Sequence, residues 1–248
     1  MRSRPRRTSS AFPLFLFALG VAGCDLFSGV PAGTIVGEVR FDGRPAPGIA
    51  VTLQSGNGTV WTDVGSNGTA VTDSSGQYRF ENLKNGEYRV RFDVKPSLVA
   101  VGGTTIGPKQ VGTWNTNGIR LGMGGARLAA FDVSYNGLIY PESGKSNTYS
   151  ATMPLPFHWS THRNGGSYRV KIYDVSGGVT GTKPVWDSGS TGAPVTTLDK
   201  RLAKGNYRWV VEIDGGGSGS GTSEPRNLDL DFRTPEPEDS GDSTGDEF

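Results

Sequence analysis

Cysteine and histidine are scarce in this sequence, whose 248 residues include one cysteine and two histidines. One cysteine cannot form an internal disulfide bond, and it excludes a zinc site built from cysteines alone. An excess of one charge is also missing, because 25 Lys and Arg against 24 Asp and Glu give a formal net charge of +1. That balance gives no support for a nucleic-acid partner.

Helical patterning is absent as well. After the first 24 residues, no segment repeats apolar residues at helical spacing over ten or more positions. The composition excludes collagen, a coiled coil and a multi-span membrane protein. Glycine and proline are abundant instead, with 38 and 15 residues, and they predict a chain of strands and turns.

The N-terminal segment has the pattern of an export signal. Arginines at positions 2, 4, 6 and 7 precede any acidic residue, and the run from 11 to 21 is apolar apart from Pro13 and Gly20. A basic start, a short apolar stretch and small residues at the cut are typical of a secretory signal peptide. As a helix the run would span about half of a ~30 Å hydrocarbon core, so it is too short to remain as an anchor.

The segment ends in Val21-Ala22-Gly23-Cys24, which resembles the lipobox of bacterial lipoproteins. The resemblance implies that residues 1–23 are removed, that Cys24 is acylated, and that residues 24–33 tether the chain to a lipid bilayer. Two or more acyl chains hold a protein firmly at a membrane, whereas one gives marginal binding. The implied location is the bacterial cell envelope, at the outer membrane or cell surface, with the inner membrane left open. The alternative is an ordinary secreted protein that has a cysteine near its cut site.

The C-terminal residues 234–248 form an acidic tail. All but one of the residues in this segment are polar, Gly or Pro, the exception being Phe248. Such a composition cannot bury enough apolar surface to offset the entropy lost on ordering. We therefore expect the tail to be disordered.

Residues 34–95 alternate apolar and polar side chains with the period of strands. The first predicted strand places Ile35, Gly37, Val39 and Phe41 on one face. A later one turns one set of side chains inward, namely Tyr88, Val90, Phe92 and Val94. Its other set is charged and predicts a wet face, namely Glu87, Arg89, Arg91 and Asp93.

The order of turns and aromatic residues in this stretch resembles a known family. A turn at 43–48, Gly-Arg-Pro-Ala-Pro-Gly, precedes Thr72-Asp73-x-x-Gly76-x-Tyr78-x-Phe80 and Leu83-x-x-Gly86-x-Tyr88-x-Val90. This order is similar to the carboxypeptidase regulatory-like and Cna protein B-type domains, which implies a prealbumin-like β-sandwich. Many B-type domains form an internal Lys–Asn isopeptide bond with the lysine in the first strand. Residues 34–41 contain no lysine, so we expect no such bond.

Residues 96–126 alternate only weakly. We expect one or two strands there, around Trp114, that complete a first sandwich over residues 34–121. Glycines at 122, 124 and 125 then predict a linker at 122–126.

The remainder, residues 127–233, predicts about seven short strands at the spacing of an immunoglobulin-like sandwich. Tyr168-Arg169-Val170-x-Ile172, Val185-Trp186-Asp187-Ser188-Gly189 and Leu202-x-x-Gly205-x-Tyr207-Arg208-Trp209 follow one another. This run resembles the fibronectin type III-like domains of bacterial envelope and glycan-processing proteins. The predicted fold class is therefore all-β, with a prealbumin-like and an immunoglobulin/fibronectin III-like β-sandwich in tandem.

Two short runs in the two halves look alike, Leu83-x-x-Gly86-x-Tyr88-Arg89 and Leu202-x-x-Gly205-x-Tyr207-Arg208. We prefer convergence to an internal repeat, because a hairpin entry needs glycine and a sandwich favours a buried tyrosine. The hydroxyl of such a tyrosine is expected to reach the backbone at a corner. Tyr78, Phe80 and Tyr88 are expected in the core.

No catalytic or metal-binding constellation stands out. His158 and His162 are expected in a solvated loop, because Asn164-Gly165-Gly166 indicates that a strand ends there and enters a turn. They are not expected to bind zinc, because no nearby cysteine or acid has the spacing of a third ligand. Gly217-Ser218-Gly219-Ser220-Gly221 matches a nucleophile elbow as text, but it lies in a glycine hairpin loop rather than a strand-to-helix turn. We therefore predict no enzyme activity, no catalytic residues, no metal and no cofactor.

The five tryptophans are the remaining candidates for ligand binding. Trp159 and Trp209 lie in alternating strands and are expected in the core. Trp61 and Trp114 lie in polar contexts rich in Gly, Thr and Asn, so they are the candidates for a sugar-binding platform. Edge packing is the competing explanation for both.

These observations favour a non-catalytic, lipid-anchored envelope protein that acts as a spacer or as a protein-binding or adhesion module. Its partners would be the bilayer, through acylated Cys24, and an unidentified envelope protein or polysaccharide. The alternative is a carbohydrate-binding module at the cell surface that uses exposed tryptophans. A third hypothesis is a hydrolase accessory or an enzyme, which would require a cluster of His, Asp and Ser or a pair of acids in a cleft.

Overall fold

The computed structural model describes residues 29–93, 100–101, 104–105, 111–135 and 137–233. Cys24, the signal segment and the acidic tail lie outside these ranges. Within them the chain folds into β-strands and one short 3-10 turn, Gly216–Ser218, which confirms the all-β fold class. None of the described helical residues could cross a membrane, because no helix there is long and apolar enough.

The first half of the chain forms the N-terminal sandwich. Its strands are β1 (Ile35–Phe41), β2 (Arg44–Pro45), β3 (Ala50–Gly56), β4 (Trp61–Asp63), β5 (Thr69–Val71), β6 (Gln77–Phe80), β7 (Gly86–Asp93), β8 (Ala100–Val101), β9 (Thr104–Thr105), β10 (Thr113–Asn115), β11 (Ile119–Leu121), β12 (Ala126–Arg127) and β13 (Phe131–Asp132). Among the strands that the structure describes, β8 and β9 pair only with each other. The others form two facing sheets.

β1 is the central strand of one sheet. The antiparallel strands β6 and β2 pair along one side of it, and the parallel strands β12 and β13 pair along the other. Residues 126–132 therefore complete the first sandwich, although we expected a linker that ends at 126 and a new domain from 127. Gly125 lets the chain turn onto β1, since a Cβ there would lie 2.3 Å from the carbonyl oxygen of Pro31.

The facing sheet of the N-terminal sandwich is built around β3 and β7, which pair antiparallel from Thr52 to Gly56. β4 and β5 pair with β3, while β10 and β11 pair with the far side of β7. These last two are the strands expected around Trp114.

The predicted alternation fills the N-terminal core. Ile35 and Val39 are fully buried, and Tyr78, Phe80 and Tyr88 also lie in the core, as expected. Gly37 is required beside this cluster, because a Cβ there would lie 2.1 Å from the Tyr78 hydroxyl of the paired strand.

The second half of the chain forms the C-terminal sandwich. Its strands are β14 (Leu138–Tyr140), β15 (Ser146–Tyr149), β16 (Pro156–Trp159), β17 (Ser167–Ser176), β18 (Val179–Thr180), β19 (Trp186–Asp187), β20 (Val195–Thr197), β21 (Gly205–Asp214), β22 (Ser220–Thr222) and β23 (Arg226–Phe232). One layer is the short sheet β14-β16-β20. The other layer is built on the long antiparallel pair β17 and β21, with β22, β23 and β15 beyond β21.

Aromatic side chains fill the space between these layers. Phe157 packs edge-on to Trp209 with ring centroids 4.9 Å apart, and it stacks on Trp186. Trp159 and Trp209 are 2% and 0% exposed, so their assignment to the core is confirmed.

Both sandwiches use the predicted tyrosine at a corner. The Tyr88 hydroxyl donates to the carbonyl oxygen of Lys84 at 2.9 Å, and the Tyr207 hydroxyl donates to that of Ala203 at 2.9 Å. The similar local sequences therefore produce the same hydrogen bond in the two halves.

Candidate functional site

The two sandwiches are joined by strand pairing. β10 of the N-terminal sandwich pairs antiparallel with β22 of the C-terminal one, with Trp114 opposite Gly221. Because β10 also pairs with β7 and β22 with β21, one sheet runs through both sandwiches in the order β15-β23-β21-β22-β10-β7-β3-β4. The junction is part of the secondary structure rather than a flexible connection.

Trp114 lies at the centre of this junction, where it is packed between the sandwiches and has no exposed face to serve as a sugar-binding platform. Its ring is fully buried, and its indole Nε1 donates to the carbonyl oxygen of Ser218 at 3.1 Å. The ring fits against glycines of the 215–221 loop, since a Cβ on Gly221 or Gly215 would lie 2.4 or 2.8 Å from it. Glycines of the C-terminal sandwich, and not the local glycines around Trp114, therefore provide the space that buries the indole.

His162 packs on the other side of Trp114, with ring centroids 4.8 Å apart and planes at 23°. It is 3% exposed, so the prediction of a solvated loop is wrong for this residue, whereas His158 is exposed. The Asn164 backbone N–H donates to Nδ1 at 3.1 Å, so Nε2 carries the proton and donates to the Asp132 carbonyl oxygen at 2.9 Å. Burial lowers the pKa of His162 below its ordinary value of 6.5, which keeps the ring neutral.

The carboxylate of Asp132 ties the junction to the β1–β2 hairpin. It is 1% exposed and accepts the backbone N–H groups of Asp42 at 3.2 Å and Gly43 at 2.6 Å. Both turn residues have positive φ, 51° and 76°, as a two-residue turn of this kind requires. Arg163 of the C-terminal sandwich donates to the Asp42 carboxylate at 3.0 Å, so the hairpin is held from both halves.

Trp61 occupies a different position, on the outer face of the joined sheet. Its side chain is half-buried, and the ring lies against Gly56 and Gly118, where a Cβ would come within 2.7 and 2.9 Å of it. The Arg89 guanidinium lies 4.8 Å from the ring centroid. Trp61 is thus the one candidate platform that keeps an accessible surface.

A chain of hydrogen bonds runs beside Trp61. Arg89 donates to the Gln54 side-chain oxygen at 2.7 Å, and the Gln54 amide donates to the Asp63 carboxylate at 2.7 Å. These groups hold the strands of the outer face in register and leave Asp63 exposed.

The same outer face carries a shallow groove of about 350 Å³ where the two sandwiches meet. Polar side chains line most of it, from Asn115 on β10, Ser220 and Thr222 on β22, and Asp214 on β21. Asn115 comes from the N-terminal sandwich, and the others come from the C-terminal sandwich.

Asp132, Asn164 and this groove carry no signal in the sequence that would predict a role at the junction. Their partners lie far away along the chain, 90 residues for Asp42 with Asp132 and 104 for Trp114 with Ser218. Among the described residues, no group of three or more His, Cys, Asp or Glu is placed to hold a metal ion.

Comparison with known proteins identifies part of the chain. Residues 34–115 match the family described as carboxypeptidase regulatory-like domain. A segment of 58 residues is 41% identical to the serine-aspartate repeat-containing protein C of Staphylococcus aureus strain Newman, and it covers 23% of this chain and 6% of that protein. The chain thus spans only a small part of the curated relatives that it matches.

Two solved structures cover most of the chain at low similarity. A candidate carbohydrate-binding protein from Bacteroides uniformis has 16% identity and a TM-score of 0.27, covering 81% of this chain and 100% of the other. Fibronectin(III)-like modules of Clostridium thermocellum CbhA have 14% identity and a TM-score of 0.27, covering 84% and 93%.

The family match falls on the sandwich that the turn and aromatic pattern indicated. It extends through β10, the strand that joins the second sandwich. Residues 34–115 therefore match the carboxypeptidase regulatory-like domain family, within an all-β chain that continues into a second β-sandwich.

Proposed function

We propose that this chain is a non-catalytic module of a bacterial cell envelope that holds a binding face in a fixed position relative to a lipid anchor at Cys24. The supporting observation is the β10–β22 pairing, because two sandwiches that share a sheet cannot swing about a linker. Domain interfaces within a chain are usually polar and permit relative motion. This one instead buries Trp114 and His162.

A rigid tandem suits a spacer or an adhesion module. Because it does not bend at the junction, it would keep the binding face at a fixed distance and orientation relative to the membrane. Its partner would be an envelope protein or a polysaccharide. The family match to a regulatory-like domain is consistent with a role in binding rather than catalysis.

Small-angle X-ray scattering tests the rigidity. The wild-type profile should fit one fixed arrangement of the sandwiches, whereas Trp114→Ala should broaden the distribution of interdomain distances. Trp61→Ala is the matched control, because it removes an indole from the outer face and leaves the junction intact. A wild-type profile that requires a flexible ensemble would contradict the proposal.

Metabolic labelling tests the anchor separately. Labelled palmitate should appear in wild type and not in Cys24→Ser, and the wild type should partition with membranes. An unlabelled wild type would leave the ordinary secreted protein as the explanation of the N-terminal pattern.

Affinity capture from native envelopes, with Cys24→Ser as the unanchored control, tests for a partner. A protein or polysaccharide retained by both forms must bind the sandwiches rather than the lipid. Retention by the acylated form alone would contradict an adhesive role.

A second candidate function is carbohydrate binding at Trp61. The half-buried indole, with exposed Asp63 beside it, favours this reading. Glycan addition should change tryptophan fluorescence in wild type and in Trp114→Phe, and the change should disappear in Trp61→Phe. A response that survives Trp61→Phe would exclude Trp61 as the platform.

A further inference from the structure

The joined sheet brings polar side chains of both sandwiches into one row on its outer face. Asn115 pairs with Ser220, Ser220 with Asp214, and Asp214 with Ser167. Directly paired residues on neighbouring strands point to the same face of a sheet. The row therefore crosses four strands, β10, β22, β21 and β17, and the groove of about 350 Å³ lies along it. That volume is at the lower end of the range for small-ligand sites, about 300–1,000 Å³.

Asn115 gives the groove a specific chemical requirement. Its side-chain oxygen is buried and accepts no hydrogen bond from any part of the chain that the structure describes. A buried acceptor without a donor costs free energy, which a ligand hydroxyl or amide hydrogen can recover. The Asn115 oxygen thus favours a ligand that donates hydrogen bonds.

Two charged side chains that line the groove, Glu212 and Arg169, are paired with opposite charges, whereas Asp214 keeps its charge and can accept hydrogen bonds from a ligand. Lys171 donates to the Glu212 carboxylate at 2.6 Å, and Arg169 lies 3.6 Å from that of Asp187. Asp214 accepts the backbone N–H of Gly216 at 2.9 Å. The remaining groups are mostly hydroxyls and an amide, which suit a neutral ligand with many hydroxyls better than an ion.

An extended peptide is a poorer fit for this site. β10, β22 and β21 each have a paired strand on both sides, so the groove offers no free backbone edge for strand addition. The ligand must therefore be recognised by side chains alone.

We infer that the groove over Asn115, Ser220 and Thr222 binds a neutral glycan, with the Asn115 side-chain oxygen accepting a sugar hydroxyl. The inference rests on the proposed function in one respect, because the site exists only while the two sandwiches are held together. It is separate from the platform at Trp61, which lies on β4.

Isothermal titration calorimetry with cellohexaose, maltohexaose, chitohexaose and mannohexaose tests the inference on the full chain carrying Cys24→Ser. At least one sugar should bind, and Asn115→Leu and Thr222→Val should each weaken that binding by about tenfold. Thr197→Val is the matched control on the opposite sheet of the C-terminal sandwich and should leave binding unchanged. Thr222→Val keeps its volume, so it tests the groove even if Asn115→Leu perturbs folding.

The outcomes separate this inference from the proposed function. The inference that the groove binds a glycan is refuted if none of the four sugars binds. It is also refuted if binding is lost in Trp61→Phe but kept in Asn115→Leu and Thr222→Val. Scattering from the same samples reports rigidity independently. A rigid tandem without sugar binding therefore refutes the groove alone, whereas a flexible tandem refutes the proposed function.

Discussion

His162 shows how a single buried side chain can make the junction sensitive to pH. Trp114 and Tyr135 pack against its ring. Nδ1 accepts a hydrogen bond from the Asn164 backbone N–H, and Nε2 donates one to the Asp132 carbonyl oxygen. Protonation would place a charge where water is excluded and would replace that acceptor with a donor. The neutral ring is therefore the form that the fold stabilises.

Stability should fall on acidification because the pKa of His162 is lowered in the folded state. The contribution is fully present above the unfolded pKa of 6.5 and decreases as the pH falls below it. The urea concentration at the midpoint of unfolding should decrease as the pH is lowered from about 7.5 to about 5.5, a range in which carboxylates stay ionised. His162→Gln should flatten this dependence, whereas the exposed His158→Gln should retain it. An equal slope in His162→Gln and wild type would contradict the assignment.

Tyrosine hydroxyls offer a second residue-scale test. The Tyr207 hydroxyl donates to Ala203, whereas that of Tyr135 is buried and has no hydrogen-bond partner among the described residues. Tyr207→Phe should cost about 1 kcal/mol of unfolding free energy, because it removes a made hydrogen bond. Tyr135→Phe should be neutral or stabilising, because it removes a buried group that makes none. The two variants exchange the same atoms, so urea denaturation compares them directly, and a larger loss in Tyr135→Phe would contradict the geometry.

At the scale of elements, the glycine-rich loop 215–221, which runs into β22, determines how the two sandwiches meet. Gly221 must lack a side chain, since a Cβ would lie 2.4 Å from the Trp114 ring and 2.7 Å from the Thr113 carbonyl oxygen. Gly217 in the same loop has no atom within 4 Å of the Cβ position. The two glycines are therefore matched in sequence context and opposite in packing.

Gly221→Ala should cost about 1–3 kcal/mol, the usual range for overpacking, and should shift the tryptophan emission toward that of exposed indole. Gly217→Ala should change stability by less than about 0.5 kcal/mol. Urea unfolding followed by fluorescence measures both quantities. Equal effects from the two variants would show that the loop does not pack on Trp114.

Element identity followed from local pattern, but the pairing of distant elements did not. Alternation in Ile35, Val39, Val170 and Ile172 identified core strands, because a strand buried on one face repeats every second residue. The segment around Trp114 alternates only weakly, and the burial of this residue depends on a loop that lies 104 residues away. A register between such distant strands leaves no periodic signal in either of them.

The boundary between the sandwiches could not be read from composition for a related reason. Glycines at 122–125 indicated a linker, yet Gly125 serves close packing and leads directly into β12. Glycine allows both a flexible tether and a tight approach of backbones, and only the partner strand decides between them. The groove on the outer face could not be predicted either, because it exists only when the two sandwiches are joined.

The whole molecule should behave as one cooperative unit. A sheet that continues across the junction couples the unfolding of each sandwich to the other, so the described region should unfold in a single transition. Calorimetric and van't Hoff enthalpies should agree in wild type, and Trp114→Ala should separate the transition into two. Two transitions in wild type would show that the junction contributes little to stability.

The insertion of β22 between β21 and β10 also has a consequence for biogenesis. β10 leaves the ribosome long before its partner, since 104 residues separate Trp114 from Ser218. Until then the nascent N-terminal half presents an uncovered strand edge and an exposed indole, both of which favour aggregation. Folding of this chain should therefore depend on holdase chaperones until the last strands have been synthesised.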